Sequence, residues 1–392
     1  MQLSWTPVAI SFKFTLLLLF FTAPSFGFHV RKFEKVPKRM SNVSSLVGRY
    51  KKKVLIKNLR NFVKCCRPNR MVGQPGHKRV VPFLVDSIKS IDTSGKNLLW
   101  VEEFDPDVDY AIKLYKKDFK EQIMGKFKPE TATYKMWDRF TKSMVTTFEG
   151  LRKVKGHNVI WEKKGTEFPD EVLIIGAHYD TIANDKKTLE ILPKQVSPGA
   201  DDNGSGVALA MSLIEVLLEL DLKRTVRVIF FDYEELGFLG SRAYVQKNLG
   251  RWQKLEEKFK GYVNLEMLGH DTKKSDKKKK AYNMKMYIQG PMTPTYNADL
   301  ELASSLQKLG NKSQSAAKFK IDPNGFNRSD NISFTGAGLA AVTFSQNWED
   351  DFNKSRYHTQ NDFVETLNLK TYHHVFRYIT SAIIGWSFAL TK

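Results

Sequence analysis

Five short blocks carry the residue types that hold metal ions: His178-Tyr179-Asp180, Gly199 to Gly206 (GADDNGSG), Asp232-Tyr233-Glu234-Glu235, Glu266, and Tyr357 to Asp362 (YHTQND). In an extended chain, residues two apart point the same way, so His178 and Asp180 sit together. A ligand histidine commonly gives its second ring nitrogen to a carboxylate, and Asp180 is placed for that. The bland alternative is a structural His–Asp hydrogen bond. Asp201 and Asp202 lie in a glycine-rich turn before an apolar helix. One Asp suffices as a helix cap, and the glycines permit an unusual backbone path. Glu234 and Glu235 are adjacent at a strand end and point in different directions, so one can bind metal while the other faces a water. Glu266 is a carboxylate among apolar neighbours, which is costly unless it is paired or metal-bound. His358 lies in a polar loop. The reading leaves His270 as an exposed loop residue, and His157, His373 and His374 as packing or surface groups.

The elements that must position these blocks alternate. Asn158–Trp161, Glu171–Ala177 (EVLIIGA), Thr225–Asp232 (TVRVIFFD), Gly261–Met267, Met284–Gln289 and Leu339–Phe344 read as strands. The near-continuous apolar run of TVRVIFFD suits a strand covered on both faces. Gly206–Leu220, Leu239–Leu249 and Leu367–Leu390 read as helices, the first apolar all round and therefore buried. Residues 83–147 have helical spacing ahead of the sheet, as in Tyr110–Phe127. The fold class is α/β, with a mostly parallel central sheet flanked by helices on both faces. Open sheets of this kind place their sites just past the carboxyl ends of strands, where these blocks fall.

The chain has 392 residues, 42% of them hydrophobic, enough for one large core. Its net charge of +20 is concentrated, with sixteen basic residues and only Glu34 as an acid in residues 31–80. The body is nearly balanced, so the overall charge is no argument for nucleic acid binding by the body. The reading divides the chain into residues 1–28 as a signal peptide or membrane anchor, 29–80 as a basic leader, and 81–392 as the catalytic domain. The apolar run Val8–Phe28, broken by Lys13, implies export to a periplasmic, secreted or membrane-anchored location. The basic leader reads as a disordered segment, a propeptide, or a tether to anionic surfaces. Cys65 and Cys66 are adjacent. A vicinal disulfide is strained and rare, so free or intermolecular thiols are expected. With no CxxC pair, any metal must be held by His, Asp and Glu. The stretch Thr181–Ser197 is expected over the site mouth, and Lys273–Lys280 in an exposed loop.

The ordered series HYD, GADDNGSG, YEELGFLGS, NLEMLGH and RYHTQND resembles the co-catalytic two-zinc aminopeptidase family, over roughly Gly156–Leu390. Its relatives include glutamate carboxypeptidases, glutaminyl cyclases and transferrin-receptor ectodomains. The resemblance implies a zinc-aminopeptidase-like, phosphorylase/hydrolase-like domain with two zinc ions per chain. It implies His178, Asp202, Glu235, Glu266 and His358 as ligands, with Asp202 bridging, Glu234 as general base and Tyr357 as a donor to the oxyanion. Asp180 and Asp330 are implied as supporting groups. Glu266 stands where the family most often has Asp, and Asn331 replaces a family His. The implied substrate is the N-terminus of peptides or proteins. The alternatives are a carboxypeptidase, with Arg328, Arg356 or loop lysines meeting the substrate carboxylate, a glutaminyl cyclase, and a metal-free binding ectodomain.

Overall fold

A computed structural model describes residues 35–272 and 283–390. Eight strands make up one sheet: β1 Leu98–Phe104, β2 Gly156–Lys163, β3 Phe168–His178, β4 Arg224–Phe231, β5 Lys258–Glu266, β6 Met284–Tyr287, β7 Phe319–Asp322 and β8 Ala341–Ser345. Their order is β1-β2-β4-β3-β5-β8-β6-β7. The centre, β4-β3-β5-β8, is parallel, and β6 pairs parallel with β7. The pairings β1–β2, β2–β4 and β6–β8 are antiparallel. The sheet is therefore mixed, with its parallel block where the apolar runs are longest. β4 is buried from Thr225 to Phe231, as its sequence demands of a strand covered on both sides.

The helices are α1 Met40–Gly48, α2 Lys52–Cys65, α3 Val80–Ile91, α4 Val108–Phe119, α5 Ala132–Leu151, α6 Gly206–Leu218, α7 Leu239–Gln253, α8 Tyr296–Asn311, the short α9 Asn331–Thr335 and α10 Leu369–Ser387. α6 buries eleven of its thirteen residues against β3, β4 and β5 below and α2 and α10 above. α7 lies against β2, and α9 against β5 and β8. α4 and α5 form a separate apolar cluster with Met71, Val72, Tyr233, Leu236 and Leu239, next to the turn after β4.

The structure corrects two readings of the basic segment. From Met40 onward it is not disordered: Val43, Leu55, Leu59, Phe62 and Val80 are fully buried. Its lysines sit on the outer side of amphipathic helices whose apolar stripes complete the core. Cys65 and Cys66 are joined in a vicinal disulfide rather than free. His270 is also buried, 3.5 Å from Asp351, and is not an exposed loop residue. The apolar run at Val8–Phe28 and the loop Lys273–Lys280 lie outside the described residues. No helix among the described residues is long and apolar enough to cross a membrane.

Candidate metal centre

Register decides what meets at the sheet edge. His178 is the last residue of β3 and pairs with Phe231, the last of β4, and Glu266 ends β5 opposite Ser345 of β8. The turn after β4 therefore delivers Glu234 and Glu235 beside His178. The turn before α6 delivers Asp202, and the loop after β8 delivers His358. Two donor groups result: His178, Asp202 and Glu266, and Asp202, Glu235 and His358. A third combination joins His178 with Glu234 and Glu235. The donor atoms within each group lie within 4.8 Å of one another. His178 Nε2 is 3.3 Å from Asp202 Oδ1 and 3.5 Å from Glu266 Oε2. His358 Nε2 is 3.2 Å from Asp202 Oδ2 and 3.0 Å from Glu235 Oε2. Asp202 thus turns one oxygen to each histidine. Its neighbour Asp201 faces away, accepting from the Gly269 amide and the Asn353 side chain. Glu234 stands 3.8 Å from His178 Nε2.

Two carboxylates fix the ligand-bearing turns by chelating consecutive amides. Asp180 accepts from the N–H groups of Glu234 and Glu235, both at 3.1 Å. Asp362 accepts from those of Asp201 and Asp202 at 3.0 Å. The Asn203 side chain ties the second turn to β5 through the Leu265 carbonyl and the Gly206 and Met267 amides. Ser329 donates to Glu266 Oε2 at 2.6 Å, so the longer glutamate arm is still pinned toward His178. Tyr233, Met267 and His358 all have left-handed backbones (φ 58°, 46° and 56°). Such strain in bulky residues persists only where the surroundings over-determine it, and here each residue is or adjoins a member of the clustered donor groups.

The electrostatics are those of a cation site. Asp202, Glu234 and Glu266 are almost fully buried, and the Glu235 side chain is 6% exposed. Burial pushes Glu235 up to about 7 and raises Glu234 and Glu266 as well. Burial acts on Asp202 in the same sense, but the His178 and His358 imidazoles close beside it hold it below the ordinary range. Burial would lower His358, yet Glu235 and Asp202 hold it up to about 10. Four buried carboxylates and two imidazoles are tolerable together only with added positive charge. His358 Nε2 and Glu235 Oε1 are buried without a hydrogen-bond partner. Nitrogen and oxygen donors without thiolate suit zinc or a similar divalent ion, so these residues fit a metal centre.

The model of peptidase family M28 matches residues 158–383, more than half of the chain. The chain belongs to peptidase family M28. Among curated relatives, a probable zinc metalloprotease of Pyrenophora tritici-repentis is 29% identical over 162 residues, covering 41% of this M28 chain and 31% of that protein. The chain spans about a third of the length of the first such relatives it matches. Among solved structures, the LapA aminopeptidase of Legionella pneumophila superposes with a TM-score of 0.60 at 18% identity, covering 91% of this chain and 78% of that one. A glutaminyl cyclase of Fimbriiglobus ruber gives 0.56 at 16% identity, covering 86% and 95%. At such identities the likeness establishes the fold alone.

Two anticipated residues of this M28 chain sit apart from the donor groups. Tyr357 stacks on His358, ring centroids 3.6 Å apart, and burial with the neighbouring carboxylates raises its hydroxyl well above the ordinary range. Asp330 is buried with both oxygens unpartnered and is pushed up to about 7, chiefly by burial. The stretch Thr181–Ser197 does reach the His358 loop: the Asn184 amide donates to the His358 carbonyl, and Lys186 to that of Tyr357. Three residues escaped the sequence reading. Asp362 stands in the YHTQND block, but nothing local marks it as the acceptor of two distant amides. Arg70 and His77 lie in the basic segment, where composition hides them among solvated lysines. His77 bonds Asp232 at 2.7 Å, directly before the Glu234 turn.

Proposed function

We propose that this chain is a metal-dependent exopeptidase that hydrolyses the N-terminal peptide bond of peptides, with two zinc ions held by His178, Asp202, Glu235, Glu266 and His358. The observation that carries the reading is the sharing of Asp202 between two complete donor groups beside a further, uncommitted carboxylate, Glu234. Bound divalent ions supply Lewis acidity to a water nucleophile and to the scissile carbonyl. Glu234 takes the proton of the attacking water. Its 3.8 Å separation from His178 Nε2 is the longest of the carboxylate–histidine distances, which leaves it the loosest of the four carboxylates for this, and burial raises its proton affinity as a general base requires. The same carboxyl then returns the proton to the departing amine. Tyr357 stands beside His358 to donate to the developing oxyanion. Asp180 and Asp362 keep the ligand turns from relaxing as charge moves.

The test uses the full chain loaded with zinc and a peptide beginning Gln-Leu, in free-amine and N-acetylated forms, followed by mass spectrometry. Loss of N-terminal residues from the free form only is expected. Loss of ammonia indicates a cyclase and trimming from the carboxyl end a carboxypeptidase, and either outcome overturns the aminopeptidase reading. An untouched peptide together with no bound zinc overturns the enzyme reading.

A further inference from the structure

Arg70 is an arginine of the basic segment with 1% of its surface exposed. Among the described residues its guanidinium makes no side-chain ion pair. It spends its donors on three backbone carbonyls: Nε on Tyr179 at 2.6 Å, Nη1 on Pro198 at 2.6 Å and Nη2 on Gly199 at 2.9 Å. Tyr179 lies between His178 and Asp180, and Gly199 opens the turn that ends in Asp202. One side chain therefore links the two backbone segments that present the donors common to the inner site. Gly199 has φ 54°, and a Cβ there would collide with the Asp202 carbonyl and the Thr181 methyl as well as with Arg70 Nη2 at 2.7 Å, so the turn leaves no room for a side chain beside the guanidinium. Phe62 of α2 covers it, 4.7 Å from its ring centre.

The neighbours of Arg70 repeat the attachment. The Ser197 amide donates to the Pro68 carbonyl. The Asn69 side chain donates to the carbonyls of Pro193 and Gln195, and the Arg70 amide donates to Thr181 Oγ1. Residues 68–70 are thus laced to the whole excursion from Tyr179 to Gly199. The guanidinium is also a fixed cation in the field of Asp362, Asp202 and Asp180.

We propose that Arg70 is a positioning residue for the metal centre, holding the His178 strand end and the Asp202 turn at the separation that shared metal coordination requires. This rests on the metal-centre reading above. A planar fork with several fixed donors suits the task, and a methionine of similar length keeps the packing but none of the bonds. Lysine keeps the charge but lacks the fork. Groups that orient metal ligands are worth about 10–100-fold in metal affinity.

The experiment measures zinc affinity of the full chain by competition with a chromogenic chelator, for wild type, Arg70→Met, Arg70→Lys and the core control Leu306→Ala on α8. Arg70→Met is expected to bind zinc about 10–100-fold more weakly, Arg70→Lys to fall between it and wild type, and Leu306→Ala to keep wild-type affinity despite a lower melting temperature. Wild-type affinity in folded Arg70→Met overturns the proposal, as does an equal loss in Leu306→Ala, which marks a general effect of destabilisation. If Arg70→Met is insoluble, Arg70→Lys is read in its place, and wild-type affinity there overturns the proposal. If the wild-type chain itself takes up no zinc, the metal-centre reading has failed rather than the brace.

Discussion

The two donor groups share Asp202 but are built differently. The inner one takes His178 and Glu266 from the ends of adjacent central strands, with exposures of 1% and 3%, and Ser329 pins the glutamate. The outer one takes Glu235 from a turn and His358 from a loop, and the His358 side chain is 19% exposed. Strand ends held by ladder hydrogen bonds are rigid, whereas a loop residue with left-handed backbone depends on its neighbours. The contrast teaches a division of labour. In the proposed two-ion centre, the inner site would retain an ion and the outer would exchange one and meet substrate.

The largest expected effect breaks both sites at once. Asp202→Ala is expected to lose all bound zinc and all activity by metal analysis and peptide assay, whereas His358→Ala keeps one ion per chain. Equal metal loss in the two variants would sink the distinction between inner and outer sites. Next, Glu234→Gln is expected to lower kcat by about 10²–10⁴-fold with metal content unchanged. A fall in metal content would make Glu234 a ligand instead of a base. Ser329→Ala sharpens the comparison from the inner side: it should weaken the tighter zinc ion by about 10–100-fold and leave the weaker one alone, read in a two-site titration.

The smallest effect is on pH. Burial raises Glu235 from 4.5 to about 7 in the metal-free chain. Between those values the folded state holds a proton that the unfolded state has lost, so metal-free stability falls as pH rises through that window. His358, held up to about 10, acts in the same direction, its contribution complete below 6.5 and lost as pH rises through 10. Zinc must displace these protons, so affinity at the outer site should fall about tenfold per pH unit from 10 down to 7, where the His358 proton competes, and more steeply below 7, where the Glu235 proton competes as well. Melting curves with and without zinc from pH 5 to 8 check both signs, and a metal-free melting temperature that rises with pH would refute them.

Much of the centre was legible because strand-end chemistry leaves local marks. EVLIIGA before His178 and TVRVIFFD before Glu234 are apolar runs that end in polar groups, and their length marks buried strands. The edges were harder. β1 (LLWVEEF) alternates poorly and carries two glutamates, so only its pairing with β2 makes it a strand. The basic segment misled for a related reason. Its lysines dominate composition, while the buried stripe Leu55, Leu59 and Phe62 of α2 is only a few residues wide. Arg70 and Arg60 are the same residue type ten positions apart; one is buried on three carbonyls and the other lies exposed near Glu365.

The sequence by itself determined which donors exist, their order, and the α/β alternation that sends them to one sheet edge, because hydrophobic period and strand length are local properties. Only the tertiary structure decided that Asp180 and Asp362 each hold two amides, and that Arg70 ties the His178 and Asp202 segments together. Those choices depend on strand register and on contacts between residues 54 to 161 positions apart. No local pattern encodes such contacts, since the free energy that selects them comes from packing and buried hydrogen bonds formed only when the whole core closes.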